Sequence, residues 1–159
     1  MMLKRCFMFG HRDATDAIMP DLIRAITRCI VEEQVGEFIV GSYGGFDHLA
    51  AGAAAEVKKQ HPHVRLVLLQ PYHPTARKVP LPQGFDEGWY PDGMETVPLR
   101  LAIVRANRRA IDCADCVIAY VWQTASNARN ELEYAQKRRI PITLIQRPET
   151  VKQSPQWDS

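Results

Sequence analysis

Phe38-Ile39-Val40-Gly41-Ser42-Tyr43-Gly44-Gly45-Phe46-Asp47-His48-Leu49-Ala50-Ala51 carries an apolar run into three glycines and out into an alanine-rich stretch. This is the pattern of a strand, a tight turn and a helix. Glycine lets the backbone turn with positive φ and come close to a ligand, and the helix beyond offers free N–H groups and the positive end of its dipole to an anion. A turn that needs glycine only for its geometry has the same spelling. A second junction of this kind lies upstream, where the apolar run Cys6–Phe9 stops at Gly10-His11-Arg12 ahead of a helical pattern. If the two strands are parallel neighbours, both turns stand at the carboxyl edge of one sheet, where open α/β folds bind ligands.

Outward from these junctions the pattern alternates. A helix is expected over Ala17–Glu33, with its apolar stripe at Leu22, Ile23, Ile26, Ile30 and Val31 and Pro20 in its first turn. The second strand is Phe38–Val40, followed by a helix over Leu49–Lys59. Val64–Gln70 is apolar nearly throughout, as a strand buried on both faces should be. A helix over Leu99–Asp112, a strand over Cys116–Trp122, a helix over Ala128–Arg138 and a strand over Pro141–Ile145 complete the series. Five strands alternating with helices predict an α/β fold, a Rossmann-like doubly wound parallel sheet in the order 3-2-1-4-5 with helices on both faces.

Between strands three and four, residues 71–98 hold six prolines, three glycines and the aromatics Tyr72, Phe85, Trp89 and Tyr90. No regular element is expected there. A long loop inside a compact domain is usually functional or disordered, and the aromatics argue against disorder, so a lid or partner-contact loop is favoured. The organisation expected is one domain over residues 1–146 with this inserted loop, and a loose tail over 147–159.

The 159-residue chain, 46% hydrophobic, suits one domain with a real core. A formal net charge of +2 is too small to argue for nucleic acid or an anionic membrane, so a nucleic-acid partner is not expected. No apolar run is long enough to span a bilayer, and a cytoplasmic location is expected. Cys6, Cys29, Cys113 and Cys116 are too few and scattered for a disulfide framework and read as reduced core thiols. Cys113-x-x-Cys116 lacks a second pair to complete a zinc site, and His48, His61, His63 and His73 have no metal-ligand spacing, so no metal centre is expected.

Site candidates are the residues just after the strands: Gly10, His11 and Arg12, then Gly41, Ser42, Gly44, Gly45 and Asp47, then Thr124, Ser126, Asn127, Arg129, Asn130 and Glu131. Arg, hydroxyls, glycine amides and two acids suit a phosphorylated sugar or nucleotide. Several have a purely structural alternative: Asp47 as a cap or dipole partner of its helix, His11 as a donor to a loop carbonyl, and Glu131 as a solvated first-turn acid.

The combination of Gly10-His11-Arg12, the Gly41 to Ala50 segment, Asn107-Arg108, Ala114-Asp115 and Glu131-x-x-x-Ala135 resembles the SLOG superfamily, and within it the YpsA-like branch, over roughly residues 3–146. The resemblance implies a Rossmann-like domain that binds a nucleotide or an ADP-ribose-like derivative, as a sensor-type protein that needs no further cofactor. It also implies, as an alternative, a nucleoside 5′-monophosphate phosphoribohydrolase in which Glu131 stabilises the ribosyl oxocarbenium or activates water. The Pro-Gly-Gly-x-Gly-Thr loop of those enzymes is replaced here by Gln123-Thr-Ala-Ser-Asn-Ala-Arg-Asn-Glu131, and their catalytic Arg falls near Ala106. Resemblance to dimeric relatives, with the stripe Leu99, Leu101, Ile103 and Val104, further implies a homodimer.

Overall fold

The computed structural model describes residues 3–75 and 80–148. Six parallel strands form its one sheet: β1 (Lys4–Gly10), β2 (Val35–Val40), β3 (Arg65–Leu69), β4 (Glu87–Trp89), β5 (Cys116–Tyr120) and β6 (Ile142–Leu144), ordered β4-β3-β2-β1-β5-β6. The expected order is reproduced for five of them. The sixth strand, β4, corrects the expectation that nothing regular lies in residues 71–98. Glu87-Gly88-Trp89 has no apolar alternation of its own and becomes a strand by pairing along β3 at the sheet edge.

That edge is fastened by charge. Asp86, just ahead of β4, accepts the Leu66 amide at 2.8 Å and pairs with Lys58, while Arg65 pairs with Glu87. Burial would raise the Asp86 carboxyl, but Lys58, the Leu66 amide and Arg65 outweigh it and hold the group below its usual range. The loop's aromatics are packed. Phe85 leans on one face of the domain, and Tyr72, Trp89 and Tyr90 lean on the other. The described part of this loop packs along the sheet edge; residues 76–79 of it, and 149–159 of the expected tail, lie outside the described residues.

Alternate residues of each strand face opposite layers, as the two-residue period requires. Cys6, Met8, Phe38, Val40 and Leu66 point toward α1 (Met19–Glu33) and α2 (Gly45–Lys58). Phe7, Phe9, Ile39, Val67 and Leu69 point toward α3 (Ala102–Cys113) and α4 (Asn127–Lys137). Side chains such as Phe7 and Phe38 are fully enclosed, and each contributes about 1.5–3 kcal/mol relative to exposure.

Most element boundaries move by a residue or two. Helix α2 starts four residues earlier than expected because the glycine turn itself forms its first turn. Residues Leu99–Leu101 form a 3₁₀ turn ahead of α3. Val31 is exposed and leaves the expected stripe of α1. The cysteine pairing suggested by Cys113-x-x-Cys116 is not the one the fold makes: Cys113 is exposed, whereas Cys116 meets Cys6 and Cys29. Among the described residues no helix is long and apolar enough to cross a membrane.

Candidate ligand cavity at the sheet switch point

β1 continues through α1 to β2 on one side, while its other neighbour, β5, arrives from the opposite layer. The chain direction therefore diverges at the carboxyl ends of β1 and β5 and leaves a crevice there. A cavity of about 390 Å³ occupies it. Its floor is Phe7, Phe9 and Gly10 of β1; one wall is the turn after β2, another is α3, and the third is the start of α4.

The two glycine turns do different work from the one their spelling suggests. A side chain at Gly45 would meet the Arg12 carbonyl oxygen at 2.6 Å and the Ala14 carbonyl oxygen at 2.8 Å, so this glycine is needed for the close passage of the β1–α1 loop. The first two amides of α2 are engaged by that loop, Gly45 donating to Arg12 O at 2.8 Å and Phe46 to His11 O at 3.3 Å. Gly44, at φ +156, lies against Arg12 in the same crossing. Gly41 has another reason: a side chain there would meet the Asp47 carboxylate at 3.0 Å, so glycine makes room for that acid above the strand end.

Asp47 accepts the Tyr43 amide at 3.0 Å and closes the turn over itself. Burial pushes its carboxyl up to about 6, against the Tyr43 amide and the Arg12 guanidinium, which both pull it down. Glu131, one turn into α4, is also buried and receives the Asn107 side-chain amide from α3. Burial raises Glu131 to about 7, with the Asp47 charge adding to the rise and Asn107 and Arg108 opposing it. The cavity therefore presents two acids whose protonation changes near neutrality. Arg12 is the Arg or Lys among its lining residues.

His11 is buried and serves as an acceptor, where the structural alternative to a ligand contact was a donor. Its Nε2 accepts the Trp122 amide at 3.0 Å and the Gln123 amide at 3.1 Å, fixing the neutral Nδ1–H tautomer and tying the β5–α4 loop to β1. Burial lowers its pKa, with Asp13 opposing and Arg129 assisting.

Of the residues anticipated from sequence, the cavity brings together Gly10, His11, Arg12, Gly41, Asp47, Ser126, Asn127 and Glu131. Ser42 and Gly44 instead line a second cavity of about 300 Å³ between α2 and the Pro82 to Phe85 segment, and Gly41 and Asp47 border both. Gly45, Thr124 and Arg129 line neither. Arg129 instead donates from Nε to Gln123 O at 3.0 Å, and its amide is capped by Ser126 Oγ at 3.0 Å. Asn130 is exposed. The stripe expected at a dimer contact splits: Leu99 and Leu101 are exposed, while Ile103 and Val104 line the cavity.

Asn107, Ala106, Ile103, Tyr43 and Gln123 were missed as site residues. The i, i+3, i+4 spacing of Ile103, Ala106 and Asn107 is the signal that could have found the α3 wall. Ala106, near which the resemblance puts the Arg of the phosphoribohydrolases, is 1% exposed, and no Arg of α3 lines the cavity.

Sheet order, two helical layers and a switch-point cavity define a Rossmann-like α/β protein with a built small-molecule-sized site. The same fold is found in the molybdenum cofactor binding protein of Rippkaea orientalis, at 16% identity and TM-score 0.61 over 91% of this chain and 77% of that one. DNA processing protein A from Streptococcus pneumoniae matches at 17% identity and TM-score 0.65 over 92% of this chain, which spans about half, 52%, of that protein. DNA processing protein A from Helicobacter pylori, described by its single-stranded DNA binding mode, matches at 18% identity and TM-score 0.59 over 92% of this chain and 67% of that one. No family model matches the chain, and no curated protein matches it by sequence.

Proposed function

We propose that this protein binds a nucleotide or an ADP-ribose-like derivative in the switch-point cavity, as a sensor-type member of the SLOG group. The observation that carries this reading is the pairing of Arg12 with two buried acids, Asp47 and Glu131, around one cavity. Arginine offers a bidentate fork to a phosphate, and the acids accept hydroxyls of a ribose. Because Gly41 and Asp47 border a second cavity as well, a ligand longer than a mononucleotide has room to continue past them.

A second reading, hydrolysis of an N-glycosidic bond, is favoured by Glu131 alone. A carboxyl raised to about 7 is poised to give or take a proton at neutral pH. Against it stands the α3 wall, which supplies no Arg, so among the described lining residues Arg12 would hold the phosphate alone.

One experiment addresses both. The protein is melted with AMP, ADP-ribose or a single-stranded oligonucleotide, and free base is assayed in the same mixtures. A cavity ligand at 100 times its Kd should raise Tm by roughly 5–10 °C, and Arg12→Ala should abolish the rise. Base release lost in Glu131→Gln, with the Tm rise intact, would select the hydrolase. A rise with the oligonucleotide alone would replace both readings with nucleic-acid binding, as in the single-stranded DNA binding mode of the Helicobacter pylori neighbour.

A further inference from the structure

At the opposite, amino end of the sheet, three sulfurs from three different elements converge. Cys6 of β1 and Cys116 of β5 are register partners on adjacent parallel strands, so their side chains project side by side from the same face. Cys29, near the end of α1, comes down onto them from the helical layer. The three Sγ atoms lie within 4.8 Å of one another. Three sulfurs held at about 2.3 Å from one trigonal ion stand about 4 Å apart, so closing onto an ion needs only side-chain adjustment.

We propose that Cys6, Cys29 and Cys116 form a three-coordinate site for a soft monovalent d¹⁰ cation, Cu(I). Thiolate sulfur selects Cu(I), zinc and iron–sulfur clusters among biological metals. Structural zinc takes four ligands, and among the described residues the group holds only these three from the His, Cys, Asp and Glu side chains. Three sulfurs without a fourth donor suit Cu(I).

Cys6 and Cys29 are buried and Cys116 is half-buried, which leaves an approach from the sheet end for an exchanging ion.

The test is anaerobic titration of the full chain with Cu(I) supplied as its acetonitrile complex, in competition with bicinchoninate, and separately with zinc. The expected result is one Cu(I) per chain, held in preference to zinc. Cys113→Ser should leave it unchanged. Cys29→Ser and Cys116→Ser should each weaken it by at least about 100-fold, the upper end of what loss of a supporting partner alone costs. Circular dichroism checks that each variant is folded, and Cys116→Ser, at the half-buried position, is the one least dependent on core packing. Failure to outcompete bicinchoninate, equal retention of zinc, or an unchanged affinity in folded Cys116→Ser would overturn the site.

Discussion

Two turns face each other across the cavity, and they are built in opposite ways. The β2–α2 turn is rich in glycine but closed: its first helical amides are taken by the Arg12 and His11 carbonyls, and Asp47 holds the Tyr43 amide. The β5–α4 turn has no glycine. It is positioned by side chains, with His11 Nε2 on two of its amides and Ser126 capping α4, and it delivers Glu131 to the cavity. Glycine in the first turn therefore permits chain to meet chain, and the groups offered to a ligand on both sides are side chains. A glycine turn ahead of a helix marks where a site is without showing which atoms make it.

Gly45→Val should have the largest effect. Its side chain would run into two carbonyl oxygens of the neighbouring loop, at a cost of about 4 kcal/mol or more in urea unfolding. A variant as stable as the wild type would mean that the turn is open and its amides are free for an anion.

Glu131→Gln tests the other turn through pH. Because the folded-state pKa lies above the ordinary value of 4.5, the folded protein keeps a proton that the unfolded chain gives up between about 4.5 and about 7. Stability should fall as pH rises through that window, then level off. The variant should lose this slope and exceed the wild type by roughly 3 kcal/mol at pH 8, with little difference at pH 4. Parallel pH profiles from thermal melts would show that Glu131 is solvated.

Ser126→Ala removes only a cap. Its cost in urea unfolding should be about 1 kcal/mol. A loss several times larger would show that the β5–α4 turn depends on this one hydroxyl more than on the His11 tether.

The fold was legible wherever burial dictated the residue. Val64–Gln70 and Cys116–Trp122 are apolar because both faces of a central parallel strand are covered, and that leaves a plain trace in sequence. β4 left none, since a glycine and an acid become strand there only through the ladder with β3 and the charges around Asp86. The site was half legible. Residues directly after strands could be named because topology puts them at one edge, and Asp47 and Glu131 came from that rule. Asn107 stood in the motif and at a helical spacing that points to the α3 wall, but its meeting with Glu131 across 24 positions of chain appears only in the fold. For His11 the structural alternative weighed was a donor to a loop carbonyl, and only the folded loop shows two amides aimed at one nitrogen.

The two outermost strands, β4 and β6, are each three residues long. A strand that short offers another chain almost no backbone ladder to extend, and the Arg65–Glu87 ion pair adds charge along one of the two borders. Self-association of the folded chain by sheet extension is thereby discouraged at both ends. Copies that meet must do so through helices or loops, and growth of ordered cross-β aggregates has to await the opening of the inner strands, whose long apolar runs the fold keeps covered.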